Sequence, residues 1–155
     1  MNWDSKSIKG EVTAEGFETE IELGSLQFGV GRGIGSPTGA AANREASIPS
    51  VSEITVTKQQ DESSLKLFEQ ALAGEDKTVI ISFVSGSVKK LGAYCTITLS
   101  DTMISGYSLS SGGDRPTESL SLNFTKIEYK FDSTDAEGTA TPANTTYDIA
   151  LGKIV

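Results

Sequence analysis

The chain has 155 residues, 37% of them apolar and 22% charged, with 13 Lys and Arg against 21 Asp and Glu. This is enough apolar material for one core, and the net charge of −8 repels nucleic-acid phosphates and anionic membrane surfaces, so neither is expected as a partner. Histidine is absent and cysteine occurs once, which removes His-based triads, HExxH zinc proteases, zinc cages and intrachain disulfides; no cofactor or metal is expected.

No apolar run approaches the ~20 residues of a membrane span, so no membrane insertion is expected. The start, Met1-Asn2-Trp3-Asp4-Ser5-Lys6, lacks the basic end and apolar block of a secretory signal, which predicts synthesis in the cytoplasm.

In chain order, residues 18–30 alternate with period two, with Glu20 and Glu22 against Ile21 and Leu23. The phase slips at Gly24-Ser25, after which Leu26, Phe28 and Val30 form the apolar set, so a bulged or bent strand is expected. Residues 31–49 carry no apolar period and read as a long loop. A strand over 52–58 points Ile54 and Val56 inward. A helix is predicted over 63–73, with Leu65, Phe68 and Leu72 as its core stripe, a Ser63 or Ser64 cap, Asp61-Glu62 at the positive end and Gly74 as its stop.

Further strands are expected over 78–84, 92–100 and 103–109, with a turn bracketed by Ser85-Gly86-Ser87 and Leu91-Gly92. Leu120, Leu122 and Phe124 hold one phase and Ile127, Tyr129 and Phe131 the other, with the change at Thr125-Lys126. Residues 132–155 read as a polar extension, irregular to Thr146 and with a short strand over 147–151. The pattern predicts one domain over 1–155, mainly β: a small barrel or an orthogonal sandwich, with one helix covering an opening.

Candidate chemistry is sparse. Gly29, Gly31, Gly33 and Gly35 miss the spacing of a phosphate loop and precede no helix. Asp132, Asp135 and Glu137 lack the calcium-loop pattern. Glu18, Glu20 and Glu22 are expected on a wet or subunit-facing strand surface, and Cys95 falls in an apolar phase as a buried thiol. The sequons at Asn123 and Asn144 carry no weight without a secretory signal. No catalytic constellation emerges, so an assembly or binding role is expected and not an enzyme.

The order of segments resembles a known family. It runs through Ile8-Lys9-Gly10-Glu11, Ile21-Glu22-Leu23 and Leu26-Gln27-Phe28-Gly29-Val30, then Asp61-Glu62-Ser63-Ser64 opening the helix. Its strongest block is Thr117-Glu118-Ser119-Leu120-Ser121-Leu122-Asn123-Phe124-Thr125-Lys126-Ile127-Glu128-Tyr129. Together these resemble the haemolysin-coregulated protein (Hcp) family, the tube protein of bacterial type VI secretion systems. The resemblance implies a small two-sheet β-barrel with one flanking helix that forms rings: homohexamers that stack into a tube, expelled by a contractile sheath behind a spike and carrying small effector proteins in the lumen. It implies release through the secretion apparatus.

By similarity, Arg32, Thr38, Asn43, Arg44 and Glu45 belong to a ring-stacking loop, and Gln27 faces the lumen. The glycine- and alanine-rich stretch 33–46 and the short tail depart from the family pattern. The alternatives are a monomeric β-barrel that binds a sugar or peptide, and a hydrolase using an atypical pair among Glu18, Glu20 and Glu22.

Overall fold

The computed structural model describes residues 1–35, 47–87, 90–134 and 140–155. The described strands are β1 (Asn2–Trp3), β2 (Ser25–Gln27), β3 (Val30–Gly31), β4 (Ser50–Val51), β5 (Ile54–Gln59), β6 (Lys77–Ser87), β7 (Lys90–Ser110), β8 (Thr117–Asn123), β9 (Lys126–Thr134), β10 (Ala140–Asp148) and β11 (Lys153–Ile154); the helix α1 is Ser64–Ala73. Nine strands form one antiparallel sheet that curls into a half-barrel.

The sheet has two arms that share β7. Arm A runs β11-β10-β9-β7-β6-β1, and arm B runs β7-β8-β5-β2. The first half of β7 pairs β9 from Cys95↔Phe131 to Ser100↔Lys126, and its second half pairs β8 from Met103↔Asn123 to Ser110↔Thr117. Between them Asp101 takes a left-handed backbone (φ 50°), which bends the strand from one arm into the other. The strands expected separately over 92–100 and 103–109 are therefore one, turned at a corner.

Ile54, Val56, Leu120 and Leu122 of arm B meet Val79, Ile81, Ile97, Leu99 and Ile127 of arm A in a single buried cluster, which Trp3, Ile21 and Leu67 complete. Each such side chain contributes about 1.5–3 kcal/mol when removed from water.

Several expectations change. The stretch 18–30 is not one bulged strand: only Ser25–Gln27 and Val30–Gly31 are extended ladders. Before them the chain folds back on itself, with Gly10 N–H donating to the Thr19 carbonyl (2.8 Å), Thr19 N–H to Val12 (2.7 Å) and Ile21 N–H to Met1 (2.9 Å). A side chain at Gly10 would collide with the Glu20 and Ile21 backbone, so this close approach requires glycine.

The phase change at Thr125-Lys126 is a break and not a bulge, since β8 ends in arm B and β9 begins in arm A. The residues expected to bracket a turn do flank a hairpin, since β6 and β7 pair antiparallel through Ser85↔Gly92 and Gly86↔Leu91 up to Ser87↔Lys90. The extension 132–155 is largely regular: β10 pairs β9 along nine residues, and of the strand expected over 147–151 Tyr147 and Asp148 end β10 while 149–152 turns. Its threonines supply β-forming side chains without an apolar period, and β9 supplies the partner.

Candidate assembly surfaces

At the end of arm B, alternation carries a charge inward. Lys58 follows Ile54 and Val56 on the buried face of β5, and Glu118 precedes Leu120 and Leu122 on the buried face of β8. The register sets them opposite each other, and they are 1% and 0% exposed. The Lys58 ammonium donates to Glu118 Oε2 (2.8 Å), Asp61 Oδ1 (2.7 Å), the Gln59 carbonyl (2.8 Å) and, at 3.3 Å, Ser64 Oγ.

Tyr107 on β7 donates its phenol to the other Glu118 oxygen at 2.8 Å. Burial, that hydrogen bond and the Glu118 charge push the phenol up to about 12. The cluster satisfies both ions in a low-dielectric corner, which is the condition under which burying them is tolerable. Period-two reading held the signal for it, because Lys58 lies in phase with Ile54 and Val56.

The same cluster sets the helix. Asp61 Oδ1 accepts the Ser63 N–H and Ser64 Oγ accepts the Asp61 N–H, both at 2.9 Å, so Ser63 makes no side-chain cap of the expected kind. Gly74 does close the helix, through a bond from its N–H to the Gln70 carbonyl (2.9 Å), and a side chain there would strike that carbonyl. Ser64 and Leu67 face inward. The expected core stripe is consequently turned outward: Leu65 is 66% and Leu72 71% exposed, and Phe68 is exposed too, although it meets Tyr107 edge to face with ring centres 5.3 Å apart. The period identified the helix, but the anchoring cluster decided its phase.

The outward face of arm B is uniform. Gln27, Thr55, Ser121 and Gly106 form one cross-strand row, and Ser25, Thr57, Ser119 and Ser108 the next. Gln27 is exposed at the β2 edge of this face. Ser25 and Thr57 hydroxyls bond each other at 2.6 Å. Glu53 lies just before β5, where Ser105 (2.8 Å) and Asn123 (3.0 Å) donate to its carboxylate. On arm A the corresponding outward positions of β9 are Lys126, Glu128, Lys130 and Asp132, with ion pairs Lys126–Asp148 and Lys130–Asp132 at 3.5 Å.

The ends of the segment expected as a long loop are drawn together by the ribbon β3–β4, which pairs Val30↔Val51 and Gly31↔Ser50, and by the Gly33 N–H donated to Ser47 Oγ (2.7 Å). Arg32 is exposed at that base. Thr38, Asn43, Arg44 and Glu45 lie outside the described residues, as do Asp135 and Glu137.

Glu18 and Glu22 are exposed, but Glu20 is buried against the N-terminal ammonium, 3.5 Å away, so the three carboxylates do not share a wet face. Burial lowers that amino group below its ordinary 8.0, and Glu20 partly offsets the shift. Cys95 is buried. A groove of about 690 Å³ lies between the N-terminal segment and β6, lined by Val12, Phe17, Leu23, Leu26, Phe83 and Leu91 among others. Among the described residues no group of three or more Cys, Asp or Glu could hold a metal ion, and no helix is long and apolar enough to cross a membrane.

A family model described as "Type VI secretion system effector, Hcp" matches residues 1–131. Among solved structures, one described as a "type six secretion system protein" is 22% identical over 97% of this chain and 95% of its own, with a TM-score of 0.86. Hcp1 from Salmonella typhimurium is 19% identical over 100% of both chains, with a TM-score of 0.76. Hcp3, a secreted protein from Pseudomonas aeruginosa, is 17% identical over 95% of this chain and 84% of its own, with a TM-score of 0.59. These likenesses show a shared fold. No curated protein sequence matches the chain.

Proposed function

Because the chain belongs to the Hcp family of type VI secretion proteins, we propose that it is a subunit of the inner tube, acting through contacts with copies of itself and without a catalytic centre. Homohexameric rings stack into that tube, a contractile sheath drives it out behind a spike, and small effector proteins travel in its lumen. The family match over 1–131 carries this reading. The family implies release through the secretion apparatus.

A closed ring needs two different patches on each subunit, joined head to tail. The outward stripe of Leu65, Phe68 and Leu72 supports this reading, since a helix that anchors itself through Leu67 and a buried ion cluster leaves its apolar side for another surface. Gln27 faces the lumen from arm B. Arg32, Thr38, Asn43, Arg44 and Glu45 belong to the segment that reaches the next ring from the β3–β4 base.

Light scattering and negative-stain imaging of the purified protein test the reading. The expected particle is a ring of six times 16.3 kDa, about 98 kDa. A persistent 16.3 kDa species at high concentration would overturn it and favour the monomeric binding module. Replacing Leu65 and Leu72 together by Ser is expected to release folded monomers that keep the β-rich circular dichroism of the parent, with an unfolding midpoint that no longer depends on protein concentration. Deleting residues 38–44 is expected to spare rings and abolish stacking.

A further inference from the structure

Charged residues make up 22% of this chain, yet the two central rows on the outward face of arm B hold none. The backbone groups between these strands are consumed by the ladder. What the face can offer a visitor is therefore hydroxyl and amide groups, and some of these already bond each other, as Ser25 does with Thr57. Glu53, at the rim where β5 begins, is tied by Ser105 and Asn123.

From these observations, and resting on the tube reading above, we infer that this face is a charge-neutral wall that accepts polypeptide cargo of either sign without selecting it by charge. The physical basis is the range of electrostatic attraction. At ~0.15 M salt a charge is screened beyond about 8 Å, and Thr57 lies four residues, or about 13 Å of strand, from Glu53, so a cargo chain lying on the Thr57 row meets short-range hydrogen bonding in place of the Glu53 field. Neutral hydrogen bonds to a hydrated wall exchange for water at a net gain of about 1 kcal/mol each, which favours contacts that release as readily as they form. Arm A, with four charged outward positions on β9, could not serve in this way.

The test uses the full-length assembled protein carrying Gln27→Cys or Ser108→Cys, at opposite edges of the face, with the buried native thiol of Cys95 measured as background. Each variant is labelled by two maleimide-bearing peptides of equal length, one lysine-rich and one glutamate-rich. The expected result is labelling rates within about threefold of each other, unchanged between ~0.15 and ~0.5 M salt. Adding Thr55→Lys beside Gln27→Cys is expected to accelerate the glutamate-rich peptide severalfold, an advantage that salt removes.

A tenfold preference for either peptide in the parent Cys variants, collapsing with salt, overturns the inference. So does a Thr55→Lys variant that leaves both rates as they were, because the face would then be insensitive to charge for some reason other than neutrality. Light scattering on the same samples separates this outcome from failure of the tube reading, since loss of rings bears on assembly and the rate ratio bears on the wall.

Discussion

Along arm A the inward residues from Val79 to Phe83 and from Cys95 to Leu99 carry no charge on the core side, while the opposite face of β9 carries Lys126, Glu128, Lys130 and Asp132, with Lys130 exposed and the others half-buried. Arm B inverts this arrangement: its outward rows are hydroxyls and amides, and its charges, Lys58 and Glu118, point into the protein. The two arms share one strand and one core, so the difference is not one of fold. It shows that a sheet face can be kept free of charge while its buried side holds an ion pair, provided that pair is fully hydrogen-bonded. The buried cluster also carries a second task, since it anchors α1 with the helix's apolar stripe outward.

The largest expected effect attacks that inversion directly. Lys58→Met leaves Glu118 buried without its cation and is expected to cost about 3–5 kcal/mol in denaturant unfolding. Combining it with Glu118→Leu should recover much of the loss, and a double variant no more stable than Lys58→Met would show that the cluster is not a coupled unit. On arm A the comparable cut is Leu99→Ala, which opens a cavity in an uncharged core and is expected to cost about 2–5 kcal/mol. Unlike Lys58→Met, it should leave the helix start undisturbed, which hydrogen exchange of the Ser63 and Ser64 amides can read.

A smaller effect is pH-dependent. Tyr107 titrates near 12 in the folded chain against an ordinary 10.0, so the fold holds this proton more tightly than the unfolded chain does. Its contribution to stability is complete below pH 10 and is lost as pH rises toward 12. Tyr107→Phe is expected to flatten the alkaline fall in stability and to remove a tyrosinate absorbance step near pH 12. Smallest of all is Lys130→Ala on the outward face of arm A. It breaks one exposed ion pair and is expected to shift stability by less than about 0.5 kcal/mol, diminishing further with salt. An effect rivalling that of Lys58→Met would erase the contrast between the arms.

Leu65, Phe68 and Leu72 show how far periodicity reaches. Their spacing correctly located a helix, because a three-to-four residue repeat is a local property. It could not say which side would be covered, because that depends on Lys58, Asp61 and Ser64 meeting Glu118 from a strand some sixty positions away. Lys58 and Glu118 were themselves visible as charges in apolar phase, but their pairing required the β5–β8 register. The β10 strand gave no apolar signal, since its stability comes from lying beside β9. Gln27 reads from resemblance as lumen-facing, and the fold sets it exposed on the outward side of arm B.

The amino-acid order by itself determined the mainly β character, the helix, the absence of histidine chemistry and, through the Thr117-to-Tyr129 block, the family. These follow from local periodicity, composition and motif, which need no knowledge of what packs on what. Tertiary structure alone decided that β7 turns a corner at Asp101, that the helix shows its apolar side to solvent, and that the outward rows of arm B are neutral while β9 in arm A is charged. Each of those is a statement about neighbours distant in sequence, and the energy that selects among them arises only when those neighbours meet.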